Sequence, residues 1–109
     1  MSVGEIRTAK ITDIVEIKRV LNAVWPDNEV TPKRVEGVLK APTHSTMVYE
    51  IEDQVAGFVD GFLTTSPDGL KRWELDLLAV HPNFQRRGIA SALVTGDTEV
   101  GWSRGVVIA

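Results

Sequence analysis

An α+β fold, with a mixed, mainly antiparallel sheet flanked by helices, follows from two features of this 109-residue chain. Segments of alternating apolar and polar residues occupy the middle of the sequence, from about residue 47 to residue 80, with turn residues between them. Segments whose apolar residues recur every three or four positions lie on either side, which is the period of a helix packed along one face. The length fits one domain, residues 1–109, with one modest core.

In chain order, residues 3 to 9 form a short first strand. From Thr12, a capping residue followed by Asp13 in the first turn, Ile14, Ile17, Leu21 and Val24 mark an amphipathic helix that ends at Trp25-Pro26. Thr31-Pro32 opens a second helix with a cap and a proline at its first position, and Val35, Val38 and Leu39 give it an apolar stripe. It stops before Pro42. Met47, Tyr49 and Ile51 alternate with polar neighbours, Glu52-Asp53-Gln54 supplies a turn, and Val55 to Thr65 completes a hairpin. Ser66-Pro67-Asp68-Gly69 turns the chain into a strand that begins at Arg72.

Within that strand Trp73, Leu75 and Leu77 alternate with Glu74 and Asp76, so the two carboxylates fall on one face. Leu77 and Leu78 then break the alternation, and Leu78 and Val80 continue it on the opposite face. The break reads either as a β-bulge or as a strand buried on both faces at its end. Pro82 stops the strand. After a basic loop, Ile89, Ala92, Leu93 and Val100 mark a further helix with Gly101 as its C-cap, Ser103-Arg104-Gly105 turns, and Val106 to Ala109 read as a fifth strand cut short.

The loop Gln85-Arg86-Arg87-Gly88-Ile89-Ala90 lets backbone approach a ligand closely, because Gly88 tolerates positive φ and carries no side chain, and Ala90 is nearly as small. The helix turn that follows has unpaired N–H groups and a partial positive charge, both of which stabilise an anionic phosphate. Arg86 and Arg87 add charge-assisted donors, each such bond being worth roughly 1.5–3 kcal/mol. A pyrophosphate fits this loop; the plainer alternative is a glycine-initiated helix with two solvated arginines.

Leu-Leu-Ala-Val-His-Pro at 77–82 followed by Gln-Arg-Arg-Gly-Ile-Ala at 85–90 resembles the acyl-CoA-binding core of the GNAT superfamily of N-acetyltransferases, whose signature is Gln/Arg-x-x-Gly-x-Gly/Ala. The order of the preceding elements is also that of the amino-terminal part of the GNAT fold. The resemblance implies a GNAT-like sheet truncated after the fifth strand. It further implies acetyl-CoA as co-substrate, held by Gln85, Arg86, Arg87, Gly88, Ile89, Ala90 and Ser91, with the pantetheine arm paired like an added strand against Leu78, Ala79 and Val80. The implied reaction is acetyl transfer to a primary amine of a small-molecule or peptide acceptor.

Such an amine starts with a pKa of about 10.4 and must lose a proton to attack. Glu74 lies six residues before Val80, where many members of the family carry a glutamate base, and Asp76 follows it; the alternative is that both point to solvent. Asp60, opposite them in the hairpin, adds negative potential that draws in a cation. Members normally continue with another helix and closing strands that supply one wall of the acceptor site and often a tyrosine acid, and Tyr49 lies too early to match that tyrosine. Two other readings stand beside this one. A truncated module could bind acyl-CoA or a protein, with the edge of the fifth strand open to homodimer formation. A plain α/β domain could bind some other phosphorylated ligand.

Composition narrows the partners. Lys and Arg number 12 against 15 Asp and Glu, a net charge of −3, which disfavours a nucleic-acid partner because that binding is driven by counterion release from a basic face. The absence of Cys rules out disulfides, thiolate zinc sites and a cysteine nucleophile. His44 and His81 are not at metal-ligand spacing, so no metal is expected. His81 caps or packs at the strand end, and His44 is expected in a loop without partners. No apolar run approaches the ~20 residues of a membrane span, and the N-terminus lacks the apolar core of a signal peptide, so a cytoplasmic location and no membrane partner are expected. The three tryptophans read as core or interface anchors, with Trp102 the one placed for contact with another chain.

Overall fold

The computed structural model describes residues 4–27, 30–103 and 107–108. Over these the elements run β1 (Glu5–Thr8), a 3-10 turn (Ile11–Asp13), α1 (Ile14–Val24), α2 (Pro32–Lys40), β2 (His44–Ile51), β3 (Gln54–Thr65), β4 (Lys71–Val80), a second 3-10 turn (Pro82–Phe84), α3 (Ile89–Ser103) and β5 (Val107–Ile108). The strands lie in sequence order, with β1 to β4 antiparallel and β5 joining β4 in parallel at Arg72 and Trp73. This is the predicted mixed, mainly antiparallel α+β architecture.

Helices cover both faces of the sheet. Ile17, Val20 and Leu21 of α1 and Val35 of α2 pack on Val48, Val55, Phe58 and Ala79. Ile89 and Leu93 of α3 pack on the other face, against Ile51, Ala56, Val59 and Val80. Each such fully buried aliphatic or aromatic side chain contributes roughly 1.5–3 kcal/mol relative to exposure.

Local chemistry sets the element ends. Thr31 caps α2 by accepting from the Arg34 amide at 3.2 Å, and Pro32 occupies the first turn, where its missing N–H costs nothing. The start of α1 differs from expectation: the chain first makes a 3-10 turn, so Asp13, not Thr12, is the residue before the helix, and its carboxylate serves the turn rather than capping α1. The Asp13 carboxylate accepts the Lys10 amide at 2.7 Å and both guanidinium nitrogens of Arg7 at 2.8 Å. Arg7 also reaches Glu50, so one side chain ties β1 to β2 and to the entry of α1. Gly101 is not a C-cap, since α3 continues to Ser103. The expected turn at Ser103-Arg104-Gly105 falls largely outside the described residues.

Two irregularities fix the register. Between β2 and β3, Tyr49 pairs with Gly57 but Glu50 pairs with Val55, leaving Ala56 as an extra residue. Between β3 and β4, Asp60 pairs with Leu77 but Gly61 pairs with Leu75, so Asp76 is the extra residue. The break in alternation is therefore a bulge, and it falls at Asp76, before Leu77 rather than between Leu77 and Leu78. Trp73 and Leu75 face α3, whereas Leu77 and Ala79 face α1 and α2.

Trp73 is buried and its indole N–H donates to the Asp97 carboxylate of α3 at 3.0 Å. The pair crosses directly above Gly61, where an added methyl group would overlap the Asp97 carboxylate and lie 2.6 Å from Trp73 Nε1. We expect Gly61→Ala to lower the unfolding free energy by about 1–3 kcal/mol through overpacking. Gly37→Ala, at an exposed α2 position with open space around it, should raise it by roughly 0.5–1 kcal/mol. Urea midpoints at unchanged slope test both.

The Arg7 guanidinium holds the Asp13 carboxyl below its ordinary range. A depressed native carboxyl stabilises the fold above the unfolded titration, about pH 3.9, and that stabilisation fades as the pH falls through the lower native value. Arg7→Met should therefore cost on the order of 1.5–3 kcal/mol at neutral pH. The gap between variant and wild type in urea melts should close as the pH drops below about 4.

Candidate active site

β4 is the element on which the candidate residues meet. At its C-terminal end the chain turns sharply around His81, whose Nδ1 accepts the Asn83 amide at 3.1 Å, and whose own amide donates to the Ala56 carbonyl at 2.8 Å. The Phe84 ring packs edge-on to His81 and carries the Arg87 guanidinium over its face, 5.4 Å from the centroid. Gln85 reaches back, donating from Nε2 to the Val80 carbonyl at 3.1 Å. That bond clamps the loop to the strand end, so the side chain of Gln85 is committed to shaping the loop.

Arg86 and Gly88 both take positive φ, 66° and 78°. For an arginine this conformation is uncommon, and the loop is held in it by the Gln85 and Phe84 contacts on either side. The first helical bond of α3 runs from the Ala92 amide to the Gly88 carbonyl. The amides of Ile89, Ala90 and Ser91 thus precede any intrahelical acceptor. They border a depression of about 250 Å3 lined by Val80, Phe84, Gln85, Arg86, Gly88, Ile89, Ala90 and Ser91. A methyl group on the Gly88 Cα would meet nothing within 4 Å, so this glycine is required by its φ and borders open space rather than protein. The residues fit a phosphate group: orphan amides, a helix N-terminus and a flanking arginine.

Leu78, Ala79 and Val80 form the end of β4 beside this loop. Since β5 pairs only at Arg72 and Trp73, no strand among the described residues pairs with the outer edge of Leu75–Val80.

The two carboxylates are separated by the bulge. Glu74 pairs with Phe62 and shares its face, the face of Asp60 and of α1 and α2. Asp76, the bulged residue, is exposed and lines a pocket of about 420 Å3 with Leu21, Asp27, Val30, Arg34, Val35 and Leu77, between the helices and β4. Glu74 is not part of that lining. A groove of about 630 Å3 between α3 and β1 is larger, but its walls are mostly apolar, Ile6, Met47 and Ala92 among them, and Glu99 is its one ionisable residue. The Asp76 pocket carries three ionisable residues, Asp27, Arg34 and Asp76.

Asp60 is more than a source of potential. It is 3% exposed, its Oδ2 lies 2.7 Å from His44 Nδ1, and its Oδ1 accepts from Thr46 Oγ1 at 3.1 Å. Burial pushes its carboxyl up, the His44 and Thr46 bonds oppose this, and the nearby Asp76 charge adds to the upward push. His44 is therefore not a loop residue without partners. It is the first residue of β2, stacked on Phe62 at 5.4 Å and fixed by Asp60. Tyr49 is half-buried among the α3-side core, and Trp102's side chain lies outside the described residues.

The model of the acetyltransferase (GNAT) family matches residues 11–107. The chain belongs to the GNAT acetyltransferase family. Solved GNAT structures share its fold. An aminoglycoside acetyltransferase from an uncultured soil metagenomic sample, in complex with trehalose, is 20% identical with a TM-score of 0.83, over 96% of this chain and 74% of that one. A ribosomal-protein-alanine N-acetyltransferase from Brucella melitensis is 20% identical with a TM-score of 0.80, over 98% of this chain and 79% of that one. An aminoglycoside N-acetyltransferase in complex with CoA is 20% identical with a TM-score of 0.83, over 100% of this chain and 76% of that one. Among curated proteins, none matches. No helix among the described residues of this GNAT chain is long and apolar enough to cross a membrane.

Proposed function

We propose that this GNAT protein transfers an acetyl group from acetyl-CoA to a primary amine. The observation that carries the reading is the loop at Gln85–Ser91, where two positive-φ residues, three helix-start amides and open space at Gly88 coincide beside an unpaired strand edge. A neighbour of the same fold was solved with CoA bound, which supports the ligand. In this reading the amides of Ile89, Ala90 and Ser91 and the Arg86 guanidinium hold the pyrophosphate, Gln85 and Phe84 shape the loop, and the edge of Leu78, Ala79 and Val80 pairs with the pantetheine arm. The thioester supplies the acetyl group.

The acceptor amine sits in the Asp76 pocket. Asp76 and Asp27 both line it, and a carboxylate that meets an ammonium makes a charge-assisted bond worth roughly 1.5–3 kcal/mol. Of the two carboxylates picked out by the strand pattern, Asp76 therefore takes the amine, and Glu74 acts at most through the field along the same face.

Two measurements test this. Titration calorimetry with acetyl-CoA and free coenzyme A should give one site per chain, and Gly88→Glu should weaken binding by at least about tenfold, or 1.4 kcal/mol. Undiminished affinity in that variant, with the thermal midpoint showing a folded protein, refutes the phosphate assignment. Against a panel of primary amines, Asp76→Asn should lower kcat/KM by on the order of 10- to 100-fold, chiefly through KM, as expected for loss of one charged hydrogen bond. Glu74→Gln should change it far less; the reverse ranking moves the acceptor to Glu74.

A further inference from the structure

A second cavity adjoins the Asp76 pocket. Three of the pocket's wall residues, Leu21, Val35 and Leu77, also line this smaller cavity of about 60 Å3 between the helices and the sheet, whose polar wall is Thr46 and Asp60. Asp60 pairs with Leu77, immediately beside the bulge, so it is the carboxylate next inward from Asp76. Its own carboxylate is closed off from water, and of the two side chains that bond it only His44 can carry a proton away. The His44 side chain is 24% exposed and that of Asp60 5%, so the imidazole links the buried acid to the surface.

The arrangement is that of an oriented base. A carboxylate on Nδ1 fixes the ring, selects the tautomer with the proton on that nitrogen, and leaves Nε2 free to accept a proton. Phe62 stacks on the ring and limits its rotation further. The charged groups around the pair are few. Asp76 and Glu74 face it from β4. From the helices the cavity receives only Ile17, Leu21, Val35, Val38 and Leu39, and Lys40 at the end of α2 is turned to Glu36.

We propose that His44, held by Asp60, is the group that finally accepts the proton released by the acceptor amine bound at Asp76. The inference rests on the acetyl-transfer reading above. An ordinary carboxylate is a poor final acceptor for an ammonium, since about six pKa units separate them, whereas an imidazole titrates near neutral pH. One proton leaves the ammonium through solvent at the mouth of the pocket for Nε2 of His44, whose ring reaches the surface, and the imidazolium releases it to bulk water. The nitrogen lone pair then forms the C–N bond as the thioester C–S bond breaks, and the second nitrogen proton goes to the departing sulfur. The sum is amide, thiol and one free proton. Asp60 is a positioning residue in this scheme, because it acts through His44.

The test compares wild type, His44→Gln, His44→Ala and Asp60→Asn. The pH profile of kcat in wild type should show an acidic limb that His44→Gln removes, with kcat lowered by roughly 100-fold or more, KM for the amine little changed and coenzyme affinity unchanged. Added imidazole should restore part of the activity of His44→Ala, which a purely structural role for His44 would not permit. Long-range nitrogen–proton spectra of the two histidines, taken without any substrate, should show the Nδ1–H tautomer at His44 in wild type and its loss in Asp60→Asn. An active wild type whose acidic limb survives His44→Gln, or a tautomer indifferent to Asp60, overturns the proposal while acetyl transfer stands. Failure of acetyl transfer itself is read separately, in the coenzyme titration.

Discussion

One extra residue in β4 decides where the chemistry of this protein can be. Without the bulge at Asp76, Leu77 would continue on the side of Trp73 and Leu75, and Ala79 would follow it onto the α3 face. With it, Leu77 and Ala79 join the core under α1 and α2, while Leu78 and Val80 join the core under α3. Both faces of the strand end are then buried, which holds the turn at His81 and the loop after it against the sheet. The bulged residue itself, an exposed carboxylate, is left out of the pairing and borders the pocket between helices and strand.

Three buried aspartates tie the layers together, and each is matched to a different donor. Asp13 takes the Arg7 guanidinium, Asp97 takes the Trp73 indole, and Asp60 takes an imidazole and a hydroxyl. A buried carboxylate is costly without a hydrogen-bond donor, so each of these positions constrains its partner as well as itself. The first two partners do not change charge near neutral pH. The third partner is an imidazole that reaches the surface, which separates Asp60 from the two acids whose role is to join elements.

Much of the architecture was legible in the sequence because local signals agreed with the final packing. The Thr31-Pro32 cap, the Ser66-Pro67-Asp68-Gly69 turn and the Gly88 helix start all act over a few residues, and each appears where the pattern put it. The His44–Asp60 pair was not legible, and the reason is a register shift. Counting outward from the turn, where Ile51 pairs with Gln54, Thr46 would oppose Val59 and Asp60 would oppose Ser45, putting Thr46 and Asp60 on opposite faces. The extra residue at Ala56 moves the pairing by one, so that Thr46 meets Asp60 and His44 comes within hydrogen-bond reach. A period-2 pattern carries no mark of such a bulge when both faces of the strand are buried, as they are from Val55 to Asp60. The Trp73–Asp97 bond was hidden for a similar reason: an aspartate in an otherwise apolar helix shows its partner only once the helix is laid on the sheet.

The two halves of the candidate site meet β4 in different ways. The loop after β4 and the outer edge of Leu75–Val80 offer backbone groups, which bind by geometry and need no particular side chain beyond Gly88 and the clamp from Gln85. The helix-side face offers side chains, Asp76 at the bulge and Asp60 and His44 beside it, and in the proposed reaction these take the acceptor and its proton. Backbone recognition fits a co-substrate common to a family, and side-chain recognition fits an acceptor that differs between its members. An amine in the Asp76 pocket and a thioester along the strand edge would approach the same bulge from two sides, and there an in-plane edge and an out-of-plane face come closest because the strand is locally bent.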